Sequence, residues 1–142
     1  MEFPAEIEVK SEMETSDFAK NFAAYLHPKD IVFLNGELGS GKTFFVKSIC
    51  AEFGIQNVTS PSFAIVNQYK NSKKITHFDF YRIKKLEELY DIGIEDYLED
   101  DESIIFIEWA ELFPGVLPKK NYQVEFNMIN DSVRKIKIQK NG

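Results

Sequence analysis

Eight residues constrain this chain more than any others: Gly36-Glu37-Leu38-Gly39-Ser40-Gly41-Lys42-Thr43. They fit the spacing G-x-x-x-x-G-K-[ST], and their flanks supply the setting it requires. Residues 31–34 are a continuous apolar run, as expected of a parallel strand buried on both faces. Residues 43–52 carry Phe45, Val46 and Ile49 at helical spacing, and Gly54 stops the helix. Gly36, Gly39 and Gly41 reach backbone angles closed to other residues and keep side chains away from an anion. The N–H groups of the turn then converge at the positive end of the following helix. Lys42 adds a mobile charge for β- and γ-phosphates, and Thr43 a hard oxygen for Mg²⁺. A tight turn with incidental glycines explains none of these flanks, and a chance match is expected in fewer than roughly one in a hundred chains of this length.

A length of 142 residues predicts one domain spanning 1–142 with a real core. Thirteen Phe and six Tyr make that core aromatic-rich. No apolar run approaches the ~20 residues of a membrane span, and the first residues show no signal-peptide pattern. The single Cys50 lies in the helix after the glycine turn, where a small buried apolar role fits it, and a reducing cytoplasm is expected. The net charge of −6 argues against holding nucleic acid by phosphate neutralisation alone. Lysines at 70, 73 and 74, at 84 and 85, and at 119 and 120 read as solvated surface. Arg82 and Arg134 are the only arginines.

Residues 3–9 alternate loosely as a first strand, and Ser11 to Glu14 marks a helix start. Phe18, Phe22, Tyr25 and Leu26 share a face, predicting a helix over 15–26. Residues 64–69 and 75–79 form a hairpin turned at Asn71 and Ser72. One or two short helices follow over 86–98, with a break at Gly93. A second continuous apolar run covers 103–107, and 122–129 with 133–139 forms a C-terminal hairpin. The expected fold is α/β, a phosphate-loop NTPase-like mixed sheet with a parallel core and antiparallel hairpins, flanked by helices. Its nucleotide should bind at the carboxyl ends of the parallel strands.

A phosphate loop needs an acidic partner for Mg²⁺ at the end of a buried strand. Glu108 directly follows Ile104-Ile105-Phe106-Ile107, and Asp79 follows Ile75-Thr76-His77-Phe78. Glu108 is the first choice for the metal; Asp79 is a further ligand once removed or the group that orients attacking water. Each has the alternative of merely ending its strand at the surface. The hydroxyl-rich Thr59-Ser60-Pro61-Ser62 either senses the γ-phosphate or is an ordinary proline turn. His77 reads as a satisfied strand histidine rather than a catalytic one, and Trp109 as packing rather than a base platform. The chain lacks an N-K-x-D guanine reader and a D-x-x-G turn. Two arginines make an arginine-bearing kinase lid hard to build.

Taken in order and spacing, 34–43, Ser60-Pro61-Ser62-Phe63, His77-Phe78-Asp79-Phe80-Tyr81-Arg82, Glu87-Glu88-Leu89 with Gly93, and Ile107-Glu108-Trp109 resemble the bacterial TsaE family, also called YjeE. The two later motifs make the match specific, and the likeness covers about residues 18–118. It implies a small Mg-dependent ATPase of the cytoplasm, required for threonylcarbamoyladenosine (t6A) modification of tRNA. Its implied partners are TsaD and TsaB, with tRNA met only through their complex. The resemblance further implies that Lys42 contacts phosphates, Thr43 and Glu108 hold Mg²⁺, Asp79 serves hydrolysis, and the N-terminal segment near Val9 closes over the base. The binding residues expected are thus Val9 and Gly36, Glu37, Leu38, Gly39, Ser40, Gly41, Lys42 and Thr43, and the catalytic ones Lys42, Asp79 and Glu108. This chain departs from the family at Ser62 and Ala64, where Thr is usual, and at Ala110, where Pro is frequent. It also lacks the arginine common near Leu112 and Phe113. Slow hydrolysis alone and faster hydrolysis with the partners are expected. The alternatives are a small-molecule kinase and a nucleotide-dependent binding module.

Overall fold

The computed structural model describes residues 1–61 and 64–141. Twelve-residue helix α1 (Glu12–Ala23) follows strand β1 (Ala5–Val9). Ser11 caps it, its hydroxyl accepting the Glu14 N–H at 3.1 Å, while the Glu14 carboxylate accepts the Lys10 N–H at 2.9 Å. Glu12 and Glu14 complement the positive end of the helix. The cap therefore starts the helix at Glu12, ahead of the apolar stripe. Leu26 stays buried although α1 ends at Ala23, because a further turn follows in which Leu26 N–H bonds the Ala23 carbonyl.

Strand β2 (Ile31–Asn35) leads through the glycine turn into α2 (Lys42–Glu52). The hairpin β3 (Val66–Lys70) and β4 (Lys74–Asp79) comes next. Gly93, at φ 78°, separates α3 (Leu86–Asp91) from α4 (Ile94–Leu98). Strand β5 (Ser103–Glu108) is buried at every residue, as its unbroken apolar run predicts. A 3₁₀ turn (Ala110–Leu112) precedes the closing hairpin of β6 (Tyr122–Met128) and β7 (Arg134–Lys140).

The seven strands form one sheet in the order β1-β7-β6-β2-β5-β4-β3. β6, β2, β5 and β4 run parallel; β7 is antiparallel to β6 and to β1, and β3 is antiparallel to β4. One point of this order shapes everything downstream: β5 inserts between β2 and β4. Leu34, just before the glycine turn, therefore pairs with Glu108, and Glu108 pairs with Asp79.

Each face of the sheet carries its own core. α1 and α2 cover Val32, Leu34, Ile104 and Phe106, while α3, α4 and the 3₁₀ turn cover Ile31, Ile105, Ile107 and Phe78. Aromatic contacts bind the first core together. Phe22 meets Tyr122 edge-on with centroids 5.0 Å apart, and Phe45 meets Phe126 edge-on at 5.4 Å. Fully burying a side chain such as Phe22 or Phe45 contributes about 1.5–3 kcal/mol. Those rings lock α2 against β6 and so set the height of the turn between β2 and α2. No helix among the described residues is long and apolar enough to cross a membrane.

Candidate functional site

The glycine turn lies pressed against β6. A Cβ on Gly36 would sit 2.6 Å from Ser40 Oγ and 2.9 Å from Phe126 Cβ. Gly39 and Gly41 take φ of 77° and 105°, in the left-handed region open to glycine. Gly36, Glu37 and Ser40 build the turn: Ser40 N–H donates to the Glu37 carbonyl, and the Ser40 side chain is buried. Leu38, Gly39, Gly41, Lys42 and Thr43 face a cavity of about 310 Å³ above the carboxyl ends of β2, β5 and β4. Ser60, Asp79, Glu108, Trp109 and Arg134 close its far walls.

Glu108 is the meeting point. Thr43 Oγ1 donates to its Oε2 at 3.2 Å, and His77 Nε2 lies 2.6 Å from the same oxygen. Glu108 is 3% exposed and His77 is fully buried. Asp79, also buried, accepts the Tyr81 N–H on Oδ1 at 2.9 Å. Neither acid ends its strand at open surface, so both belong to the cavity. His77 departs from the reading as a fully satisfied histidine, since Nδ1 is buried with no hydrogen-bond partner among the described residues.

Lys42 points back across the turn. Its ammonium donates to the Gly36 carbonyl at 2.5 Å and lies 4.1 Å from the Trp109 ring centroid. Burial pulls its pKa below the ordinary lysine value, against the opposing pull of Glu108, Asp79 and Glu111. Trp109 combines packing with a place in the cavity wall. It sits at φ 62°, and its ring is 5.0 Å from that of Tyr81.

Arg134 is the cavity residue that sequence reasoning missed. Its Nη2 donates to the Gly39 carbonyl at 3.3 Å, and its Nη1 would lie 3.3 Å from a Cβ on Gly41. Its position at the start of β7, opposite Val9 of β1, carries no local signal, because the pairing joins residues far apart in sequence. Val9 stands away from the phosphate turn and lines a second hollow of about 180 Å³, with Ser11, Asp131 and Ser132; Arg134 is common to both hollows. Ser62 and Phe63 lie outside the described residues, so the reading of that hydroxyl is confined to Thr59 and Ser60. Thr59 N–H donates to the Tyr69 hydroxyl at 3.1 Å, and Ser60 reaches the cavity. A further hollow of about 320 Å³ around Phe33, Pro114 and Gln123 contains none of the glycine turn.

A model of the family described as "Threonylcarbamoyl adenosine biosynthesis protein TsaE" matches residues 9–136. The chain belongs to the TsaE family. The matched stretch runs from Val9 to beyond Arg134, so it takes in both hollows and every residue around Glu108. Among TsaE relatives, the protein of Rickettsia typhi named tRNA threonylcarbamoyladenosine biosynthesis protein TsaE is 41% identical over 135 residues, 93% of this chain and 92% of that protein. The Bacillus subtilis protein of the same name is 34% identical over 125 residues, 87% of this chain and 77% of that one. The crystal structure of Bacillus subtilis YdiB superposes with a TM-score of 0.80 at 27% identity, covering all of this chain and 90% of that one. The fold is thus the phosphate-loop α/β fold expected of a nucleotide-binding TsaE protein.

Proposed function

We propose that this chain binds and hydrolyses ATP in the service of threonylcarbamoyladenosine modification of tRNA. The names of its relatives support the pathway. One observation carries the chemistry: Thr43 and Glu108, from α2 and β5, meet at 3.2 Å beside Lys42. The site's oxygens fit Mg²⁺, which is held by few protein oxygens and completed by phosphate and water. In keeping with that, no group of three or more His, Cys, Asp or Glu among the described residues is placed to hold a metal by itself.

In this reading residues 1–142 act as one ATPase domain in the cytoplasm. Gly36, Glu37, Leu38, Gly39, Ser40 and Gly41 bind the phosphates through backbone N–H groups. Lys42 leaves the Gly36 carbonyl to meet the β- and γ-phosphates. Thr43 and Glu108 hold Mg²⁺, which supplies charge neutralisation on the transferring phosphoryl group. Asp79 orients the attacking water, and its bond from Tyr81 N–H fixes the carboxylate. Arg134 adds positive charge beside the turn, and Val9 with its neighbours shapes the base side.

The biological setting is the TsaB–TsaD pair, with tRNA engaged only through it. Turnover is slow for the isolated chain and faster once that pair docks. The test follows ATP turnover and pull-down together, in ATP and in ADP, with and without TsaB–TsaD. Stimulated turnover by the wild type is expected, with binding but no turnover for Asp79→Ala and loss of nucleotide binding for Lys42→Ala. Equal rates with and without the pair sink the partner reading. Phosphate appearing on an added metabolite instead identifies a kinase.

A further inference from the structure

Buried on β4, one strand in from the edge of the sheet, His77 is polar where an apolar residue would fit. Its strand neighbours on the same face are Ile75 and Asp79, and Phe106 pairs with it on β5. The side chain is fully buried, and Nδ1 finds no hydrogen-bond partner among the described residues. Leaving a buried ring nitrogen unpaired opposes folding. A violation of that kind inside a core is expected where function requires it.

The other nitrogen shows what the requirement is. Nε2 lies 2.6 Å from Glu108 Oε2, on the oxygen that also accepts the Thr43 hydroxyl. A carboxylate only accepts, so Nε2 carries the proton and donates. Glu108 has three rotatable bonds between backbone and carboxylate that could swing it away from Thr43. His77, fixed between β3 and β5 with Asn67 and Phe106 as its partners, meets Glu108 from the neighbouring strand, on the sheet face that α2 also covers, and removes that freedom.

We infer that His77 is a positioning residue: it holds Glu108 turned toward Thr43, so that the carboxylate meets a divalent cation already oriented. The inference rests on the Mg²⁺ reading of Thr43 and Glu108 given above. Partners that orient a metal-binding carboxylate typically change metal affinity about 10–100-fold when removed.

The test uses the full chain with ADP and Mn²⁺ as the probe, bound Mn²⁺ being counted by electron paramagnetic resonance. His77→Gln keeps an N–H at the reach of Nε2. His77→Asn is polar but too short to touch Glu108, and His77→Leu removes the donor. Thermal melts and ADP affinity in EDTA are measured for each variant. The expected result is Mn²⁺ affinity near wild type for Gln, and about 10–100-fold weaker for Asn and Leu, with ADP affinity in EDTA within about twofold throughout. If Leu fails to fold, the Gln and Asn pair decides. Folded variants that all bind Mn²⁺ as the wild type does overturn the positioning role alone. A wild-type ADP complex that takes up no Mn²⁺ overturns the underlying metal reading, and the positioning role with it.

Discussion

Gly36 leaves no room for a side chain, and that is a different requirement from the one at Gly39. A Cβ at Gly36 would strike Ser40 Oγ, Phe126 Cβ and, at 3.0 Å, the Phe126 carbonyl on β6. At Gly39 nothing stands within 4 Å, and only the positive φ of 77° resists substitution. Gly36→Ala is therefore expected to cost about 1–3 kcal/mol by overpacking, and Gly39→Ala about 1 kcal/mol by backbone strain. Because Gly36 belongs to the phosphate turn and is pressed against Ser40 and β6, Gly36→Ala should weaken ADP binding more than its loss of stability suggests. Urea melts and ADP titrations on the two variants check the order; equal effects would show that the contact with β6 is unimportant. The consensus pattern specifies Gly36, while Gly39 falls on one of its open positions. The reason for Gly36 was not legible, because Phe126 lies ninety residues away in sequence.

At the scale of elements, local signals predicted nearly everything. Ser11 and Glu14 start α1, Gly54 ends α2, Gly93 divides α3 from α4, and the two hairpins fall where alternation and turn residues put them. What the stripe of Phe18, Phe22, Tyr25 and Leu26 misjudged was the extent of α1, because side chains past a helix end can still face the core through a following turn. The cap is the simplest element to test. Ser11→Ala removes the acceptor of the Glu14 N–H and should cost about 1 kcal/mol, lowering the thermal midpoint by about 3 °C. ADP affinity is measured separately, since Ser11 also lines the hollow that Val9 and Arg134 share. A midpoint unaltered by the substitution would mean that the Glu14–Lys10 bond caps the helix unaided.

For the whole molecule, the far end of the sheet is tied by charge. Lys74 at the start of β4 meets Asp100, in the turn before β5, at 2.6 Å. That hydrogen bond, with the Glu102 N–H behind it, holds the Asp100 carboxyl below its ordinary range. The same bond holds the Lys74 ammonium above its own. A carboxyl whose folded pKa is depressed contributes stability that is present above its unfolded pKa and lost as pH falls through the folded one. A lysine whose folded pKa is raised contributes stability that is present below its unfolded pKa and lost as pH rises through the folded one. The pair therefore stabilises the fold between the ordinary Asp and Lys values and fades outside them. Asp100→Asn is expected to lower the melting midpoint at neutral pH and to melt alongside the wild type once pH drops below the depressed Asp100 value. A constant difference across that pH range would assign the loss to packing instead.

What the sequence by itself determined was local: the strand, turn and helix that make a phosphate cradle, the caps and breaks of the helices, and two carboxylates at the ends of apolar strands. Those follow from interactions spanning a few residues. The tertiary structure decided which strands lie side by side. Inserting β5 between β2 and β4 brings Glu108 to Thr43 and to Asp79, and seating β7 between β6 and β1 lays Arg134 against Gly39. It also turned His77 from a core residue into a partner of Glu108. Strand order depends on burying both faces of the sheet at once, a condition on the whole chain that no short stretch can express.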